Sequence, residues 1–289
     1  MIMLNDKWLA SALPHLLGGQ AYITAIQPVS GGSINRAFSV DTTRGNYFVK
    51  VNSATRSPNI FETEAKGLEL LAGVPSGLKI PGVIGTYSEN GISCIVMENL
   101  TSGKETKSYW ISLGRGLASL HKNTSDYFGL EYNNYIGSLP QLNTKHSSWT
   151  EFYINCRLMP QFEMACSLLA SLKLPFENLC SKLPEVLPNE PPSLLHGDLW
   201  SGNCMAAAAD VPCIFDPAVY YGHREIDIAM SLLFGGFDRE FYSAYNKVFP
   251  LLPGWQQRVE IYQLYYLLVH VNLFGGGYVG QVREILRRF

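Results

Sequence analysis

Three side chains that carry carboxylate or amide oxygens stand at fixed spacing in one stretch of the chain, and this stretch constrains the fold most. Residues 196–203 read His-Gly-Asp-Leu-Trp-Ser-Gly-Asn, and residues 214–218 read Ile-Phe-Asp-Pro-Ala. Asn203 lies five positions after Asp198, and Asp216 lies 18 positions after Asp198. Short apolar runs flank the loop and predict two strands. Each aspartate alone is a common turn residue, but the joint pattern indicates a site where the three side chains converge.

This spacing resembles the kinase catalytic loop H-R-D-x-x-x-x-N and the metal-binding aspartate that follows it. Phosphoryl transfer needs an oriented hydroxyl and cations on the phosphate oxygens more than it needs covalent help from the protein. On this interpretation Asp198 accepts a proton from the acceptor hydroxyl or orients it. Asn203 and Asp216 hold Mg²⁺ through hard oxygen donors.

The order of predicted elements favours two lobes. Alternating apolar residues predict strands over 22–29, 37–41, 47–51, 83–87 and 92–97. One amphipathic helix, ending at Gly73, stands between the third and fourth strands. Helical patterns dominate after residue 100, among them one over 149–172 and a strongly apolar one over 261–280. We therefore expect an α+β protein with the protein-kinase-like fold, with a nucleotide-binding lobe over 1–99 and a catalytic and substrate-binding lobe over 100–289.

A glycine turn lies between the first two predicted strands. Gly31, Gly32 and Ser33 follow Val29 there, and backbone N–H groups of such a turn can cradle phosphates. An ordinary hairpin turn explains the same residues, and no Walker A motif is present.

A lysine stands near the end of the third predicted strand. Lys50 could reach the nucleotide phosphates, with Glu64 on the following helix as the carboxylate that keeps it charged. Glu62 and Glu69 are alternative partners, and a solvated lysine on a strand face is an ordinary structural explanation.

The fifth predicted strand runs into the segment that joins the two lobes. In a kinase-like cleft Glu98 and Leu100 would offer backbone groups to adenine, with Met97 at the back of the pocket. An apolar strand that ends in a loop would contain similar residues. Further along the chain, Asp227 could cap the helix that follows it and could also brace the catalytic loop, whereas we expect His223 to be structural.

These residues together resemble the fructosamine kinase, or ketosamine kinase, family within the wider group of aminoglycoside phosphotransferases and choline kinases. The most specific matches are the segments HGDLWSGN over 196–203 and DPAVYYGHREID over 216–227. The resemblance implies ATP and Mg²⁺, and transfer of phosphate to a sugar hydroxyl of a small or protein-attached ketoamine, which leads to deglycation. It places Trp200 beside the acceptor, and packing of the loop is the ordinary structural explanation of the same residue. The four alanines at 206–209 depart from the polar turn that the family usually has.

The overall charge argues against nucleic acid as a partner. Lys and Arg number 22 against 24 Asp and Glu, whereas nucleic-acid binders carry a basic excess. The six cysteines include no C-x-x-C pair, as expected for reduced thiols in a cytoplasmic protein. We expect no membrane partner, since polar residues interrupt the most apolar stretch. The sequence leaves the oligomeric state open.

Two other functions stay open at this stage. The first is a related small-molecule kinase that acts on an aminoglycoside, choline or another alcohol, although the C-terminal half contains no acidic run for a polycation. The second is a catalytically inactive nucleotide-binding module. The presence of all the candidate catalytic and metal residues argues against it. A hydrolase is disfavoured because no G-x-S-x-G elbow occurs.

Overall fold

The structure, a computed structural model, describes residues 6–19, 21–29, 35–54 and 57–289. The first part of the chain forms a five-stranded antiparallel sheet with strand order β1-β2-β3-β5-β4, accompanied by two helices. Its elements are α1 (Asp6–Leu17), β1 (Ile23–Val29), β2 (Arg36–Thr42), β3 (Gly45–Ser53), α2 (Ile60–Ala72), β4 (Val83–Glu89) and β5 (Ile92–Glu98). All five strands and the helix ending at Gly73 were predicted from the sequence.

The alternation of side chains along the central strands decides what each face of the sheet contacts. Val49 and Val51 of β3 pack with Leu9 and Leu13 of α1 in one buried cluster. Lys50, between the two valines, points to the opposite face, toward α2 and the second half of the chain. The pleat of β3 therefore places this lysine in the cleft.

The second part of the chain is mainly helical, with short two-stranded ladders. Its elements are α3 (Lys107–His121), β6 (Asn134–Ile136), β7 (Leu139–Gln141), α4 (Trp149–Phe152), α5 (Met159–Met164), α6 (Cys166–Leu169), α7 (Lys173–Val186), β8 (Ser193–Leu195), β9 (Cys204–Ala206), β10 (Pro212–Ile214), β11 (Tyr220–Gly222), α8 (Glu225–Leu233), α9 (Arg239–Val248), α10 (Trp255–Phe274) and α11 (Val279–Leu286). β8 pairs with β11 and β9 pairs with β10, so the strands before and after the aspartate loop belong to different ladders.

The prediction of one helix over 149–172 was wrong. The segment breaks into α4, a π-helical turn over Tyr153–Leu158, α5 and α6, followed by a 3₁₀ turn. Ala165, between α5 and α6, has φ −90° and ψ 10°, outside the α-helical range. Pro160 in the first turn of α5 lacks a backbone N–H, which weakens continuity with the preceding turn.

The predicted apolar segment over 261–280 is an internal helix for most of its length. Ten residues of α10 are buried, and they cover more than one side of the helix, as expected for a helix surrounded by protein. Along the described chain, none of the helices combines the length and the apolar character that crossing a membrane requires.

Candidate active site

A cavity of about 950 Å³ lies between the sheet and the helical part of the chain. Lys50 and Glu64 line it from the first part of the chain, and Asp198, Asn203 and Asp216 line it from the second. Five predicted site residues, far apart in sequence, therefore share one cleft. The arrangement meets the minimum condition for a phosphoryl-transfer site.

Asp198 and Asn203 are held in direct contact at the floor of the cleft. The side-chain amide of Asn203 donates to the Asp198 backbone carbonyl at 2.9 Å and to Asp198 Oδ2 at 3.0 Å. The same nitrogen lies 3.4 Å from the carbonyl oxygen of Asp216. Since the nitrogen of Asn203 is directed at these acceptors, its Oδ1 is available to a cation.

The backbone before Asp198 is fixed by a carboxylate from α8. Asp227 is fully buried, and its two oxygens accept hydrogen bonds from the backbone N–H groups of His196 and Gly197 at 2.8 and 2.9 Å. Tyr266 donates its hydroxyl to the Gly197 carbonyl at 2.9 Å. Asp227 is not a helix cap, because it stands inside α8, whose N-cap residue is Arg224.

His196 adds a further connection within the loop. Its Nε2 donates to the Phe215 carbonyl at 2.9 Å, and its Nδ1 accepts from the Asp198 N–H at 3.3 Å. Burial lowers the pKa of His196, so the neutral ring can donate at one nitrogen and accept at the other. The residue ties the backbone at Asp216 to the backbone at Asp198.

His121 belongs to the same network and was not identified from the sequence. It is fully buried on α3, with Nε2 3.2 Å from Asp227 Oδ2 and Nδ1 2.8 Å from the Tyr245 hydroxyl. No local motif marks it, since its partners lie 106 and 124 positions away. A polar residue on the buried face of a predicted helix is the one signal that could have singled it out.

Lys50 contacts two carboxylates in the cleft. Its Nζ lies 2.6 Å from Glu64 Oε1 and also forms an ion pair with Asp216. Burial by itself would lower the pKa of Lys50, but the charges of Asp216 and Glu64 outweigh burial and raise it. The lysine stays charged, and Glu64 is its partner on α2 rather than Glu62 or Glu69.

The carboxyl group of Asp198 lies in an environment that disfavours its ionised form. Burial, and then the nearby charge of Asp216, raise the pKa of Asp198 to about 7, against the opposing hydrogen bond from Asn203. A carboxylate with a pKa near neutrality is a suitable proton acceptor at physiological pH.

The end of β5 and the segment after it also line the cavity. Met97, Glu98 and Leu100 all line it. The backbone N–H of Glu98 already donates to the Gly82 carbonyl at 2.8 Å, so Glu98 can offer a ligand its backbone carbonyl rather than its N–H. The side chain of Glu98 is directed elsewhere, to Lys79 at 2.6 Å.

Gly31, Gly32 and Ser33, predicted to cradle phosphates, lie outside the described residues. Their neighbours Val29 and Asn35 line the cavity.

The donor set in the cleft fits a hard divalent cation. Asn203 Oδ1 and the Asp216 carboxylate are the candidate oxygen donors, and Mg²⁺ typically binds one or two protein oxygens together with phosphate oxygens and waters. Within the described ranges no group of three histidine, cysteine, aspartate or glutamate side chains could form a metal site of its own. A Mg²⁺ ion would therefore be held jointly with a nucleotide.

One wall of the cavity is aromatic, and the sequence predicted only Trp200 as a site residue in it. Trp200 contacts Phe234 with ring centroids 6.2 Å apart, and Phe234 contacts His270 at 4.9 Å. His270 in turn lies 5.3 Å from Phe274 and 5.0 Å from Tyr278. We call Phe234, Phe274 and Tyr278 the aromatic rim. An i, i+4, i+8 series on α10 from Tyr266 to Phe274 was the available sequence signal.

Of the four alanines at 206–209, Ala206 ends β9 and the other three begin the turn to β10. Ala209 has φ 60° and Asp210 has φ 58°, both in the left-handed region that glycine and asparagine favour. Asp210 Oδ1 accepts from the Lys104 backbone N–H at 3.2 Å, which attaches the turn to the segment before α3. The turn leaves Asn203 and Asp216 in the cleft.

Comparison with protein families gives one match over nearly the whole chain. A family model described as fructosamine kinase matches residues 6–289. A probable ketoamine kinase of Synechocystis is 38% identical over 283 residues, which cover 97% of this chain and 95% of that protein. A chloroplastic protein-ribulosamine 3-kinase of Arabidopsis thaliana is 39% identical, with 93% of this chain and 83% of that protein covered. A ketosamine-3-kinase of Mus musculus is 35% identical, with 93% and 96% covered.

Solved structures give the same result for the fold. A candidate fructosamine-3-kinase of Thermobifida fusca superposes with a TM-score of 0.87 at 32% identity, covering 96% of this chain and 97% of that one. An aminoglycoside phosphotransferase superposes with a TM-score of 0.59 at 15% identity, covering 98% and 97%. The second likeness shows the fold alone. The predicted α+β, protein-kinase-like fold is confirmed.

Proposed function

The chain belongs to the fructosamine kinase family, and we propose that it transfers the terminal phosphoryl group of ATP to a sugar hydroxyl of a ketoamine. One observation carries this proposal: Lys50, Glu64, Asp198, Asn203 and Asp216 line a single cleft. Relatives named ketosamine-3-kinase and protein-ribulosamine 3-kinase support the acceptor class and the position of the hydroxyl. The two lobes would be residues 1–99 and 100–289, with the site between them.

Asp198 is the catalytic residue in this proposal. Its carboxylate accepts the proton of the sugar hydroxyl as the oxygen attacks phosphorus, and its pKa of about 7 suits that transfer. Asp227 acts through the backbone, because its two oxygens hold the N–H groups immediately before Asp198. A fixed carboxylate keeps the hydroxyl oriented for reaction.

The nucleotide lies along the other side of the cleft. Lys50, kept charged by Glu64, binds phosphate oxygens, and the glycine turn with Gly31, Gly32 and Ser33 offers N–H groups. Adenine contacts the Glu98 carbonyl and the Leu100 backbone beside Met97. Asn203 and Asp216 would hold Mg²⁺, which would supply positive charge to the phosphate oxygens.

The product would be a phosphorylated ketoamine that breaks down and releases its amine. This is a deglycation reaction, and the name protein-ribulosamine 3-kinase supports protein-attached as well as small substrates. A polycationic acceptor such as an aminoglycoside fits less well, because only four of the described residues that line the cavity are acidic, and two of these, Glu64 and Glu98, pair with lysines. A cytoplasmic location stays a prediction.

The test is turnover of a defined substrate. Ribose and fructose ketoamines of one simple amine are incubated with ATP and Mg²⁺, and ADP release and the phosphorylated product are measured. We expect phosphorylation of at least one ketoamine by the native chain and loss of it in Asp198→Asn. The proposal would be contradicted if none of these acceptors led to ATP consumption, or if Asp198→Asn kept full activity.

A further inference from the structure

The aromatic rim lies in the cavity but outside the catalytic constellation. Phe234 and Phe274 line the cavity and yet are 41% and 51% exposed. Large apolar rings left open to solvent beside a cavity are typical of a binding surface. The candidate catalytic and metal residues leave the rim without a role.

The position of the rim follows from α10. Tyr266, fully buried, touches the backbone next to Asp198 through its hydrogen bond to Gly197. Phe274 lies eight residues further along the same helix, which is a rise of about 12 Å. The exposed fraction of the side chain rises from 0% at Tyr266 to 51% at Phe274, so the cavity is more open to solvent at Phe274 than at Tyr266.

This distance decides which part of a ketoamine reaches the rim. The C3 hydroxyl must lie at Asp198, and the nitrogen is only three bonds away from C3. The sugar is of fixed size, whereas the amine continues into a substituent that can be as large as a protein. Only the amine substituent needs the open end of the cavity, and it therefore passes Phe234, Phe274 and Tyr278.

The described surroundings of the aromatic rim lack positive charge. Among the described residues that line this side of the cavity, no lysine or arginine is present to pair with a carboxylate. The faces of aromatic rings attract an ammonium group and repel a carboxylate, because the ring quadrupole is negative at its face. His270 adds no positive charge, since burial lowers its pKa.

Building on the proposed function, we propose that the aromatic rim binds the substituent next to the protonated amine, and that it selects ketoamines with no carboxylate beside that amine. Adducts of neutral amines and of lysine side chains within a peptide are favoured substrates. Adducts of free α-amino acids are poor substrates, because their carboxylate would face aromatic rings without a cation.

A matched pair of substrates tests this selectivity. Ribose is condensed with 2-phenylethylamine or with phenylalanine, two amines that differ only by a carboxylate. We expect kcat/KM to be roughly tenfold higher for the phenylethylamine adduct, because only the phenylalanine adduct carries an unpaired carboxylate that the ring faces repel, an effect of the same order as a cation–π contact. Equal kcat/KM for the two adducts would overturn the proposal.

A charge introduced at the rim should change the preference. Phe274→Lys supplies the missing cation, so kcat/KM should rise for the phenylalanine adduct and fall for the phenylethylamine adduct, with KM for ATP unchanged. Phe234→Lys is a second variant with the same expectation, should the first fail to fold. Leu174→Lys, at a side chain 66% exposed on α7 and outside the cavity, is the matched control and should keep the native ratio.

The outcomes separate this proposal from the proposed function. If both adducts are phosphorylated equally, or if both rim variants keep the native ratio, the kinase function stands and the rim proposal fails. If neither adduct nor any other ketoamine is phosphorylated, the proposed function fails and the rim proposal fails with it.

Discussion

Replacing Asp198 by asparagine should strongly lower activity and at the same time stabilise the fold. Asp198 has a pKa of about 7 in the folded protein against an ordinary value of 3.8. Its ionised form is therefore disfavoured by folding, mainly through burial. Asparagine carries no charge and can still accept the hydrogen bond that Asn203 donates to this side chain at 3.0 Å. The substitution removes the unfavourable charge and keeps the contact.

The magnitude follows from the shift in pKa. A difference of about 3 pKa units corresponds to about 4 kcal/mol, since each unit is worth about 1.4 kcal/mol. This is a ceiling, because the side chain is partly exposed and keeps some of its water, and we expect about 2 kcal/mol at pH 8.

The effect of Asp198 on the stability of the fold changes with pH over a defined range. Between pH 3.8 and pH 7 the folded chain holds a proton at Asp198 that the unfolded chain has lost, so the native protein loses stability as pH rises through this range. Above pH 7 Asp198 is ionised in both the folded and the unfolded chain, and the loss of stability is complete. The increase in the free energy of unfolding that Asp198→Asn produces should therefore be largest at pH 8 and clearly smaller at pH 5.

The assay is urea unfolding at pH 5 and pH 8 with EDTA and without nucleotide, for the native chain and Asp198→Asn. Asp126→Asn, at an exposed carboxylate, is the control and should leave the free energy of unfolding unchanged at both pH values. Turnover of Asp198→Asn should fall by roughly 10²- to 10⁴-fold, the range for loss of a general base. A stability difference that is zero at pH 8, or equal at the two pH values, would refute the reasoning.

Three further substitutions test other parts of the site. Lys50→Met should lower kcat/KM for ATP by roughly 100-fold or more, because it removes a cation from the phosphate oxygens; an unchanged value in steady-state kinetics would contradict the role of Lys50. Asp227→Asn should lower kcat by roughly tenfold or more while KM for ATP stays constant, since one of two charge-assisted backbone hydrogen bonds is lost; a change in KM alone would argue against loop support. Ala209→Gly should raise the free energy of unfolding by about 0.5 kcal/mol, because glycine accepts φ 60° without strain; a lower melting temperature would contradict this.

The aromatic rim and the role of His121 could not be predicted from local sequence patterns. Phe274 lies in an apolar helical pattern in which every ring has the same appearance, and only packing decides that this ring stays exposed while Tyr266 is buried. His121 gains its meaning from Asp227, 106 positions away. Contacts at such separations depend on how helices pack, and no spacing along the chain encodes them.

The amino-acid sequence determined the parts of this protein whose geometry is local. Alternating side chains predicted the five strands, and the short interval between Asp198 and Asn203 kept these two residues together in one loop. Only the tertiary structure decided that Lys50 pairs with Asp216, which lies 166 positions later in the chain. It also decided that Glu64, rather than Glu62 or Glu69, is the second carboxylate that contacts Lys50. The physical reason is that the direction of a side chain follows from its own strand or helix, whereas the partner that it meets follows from the packing of distant elements.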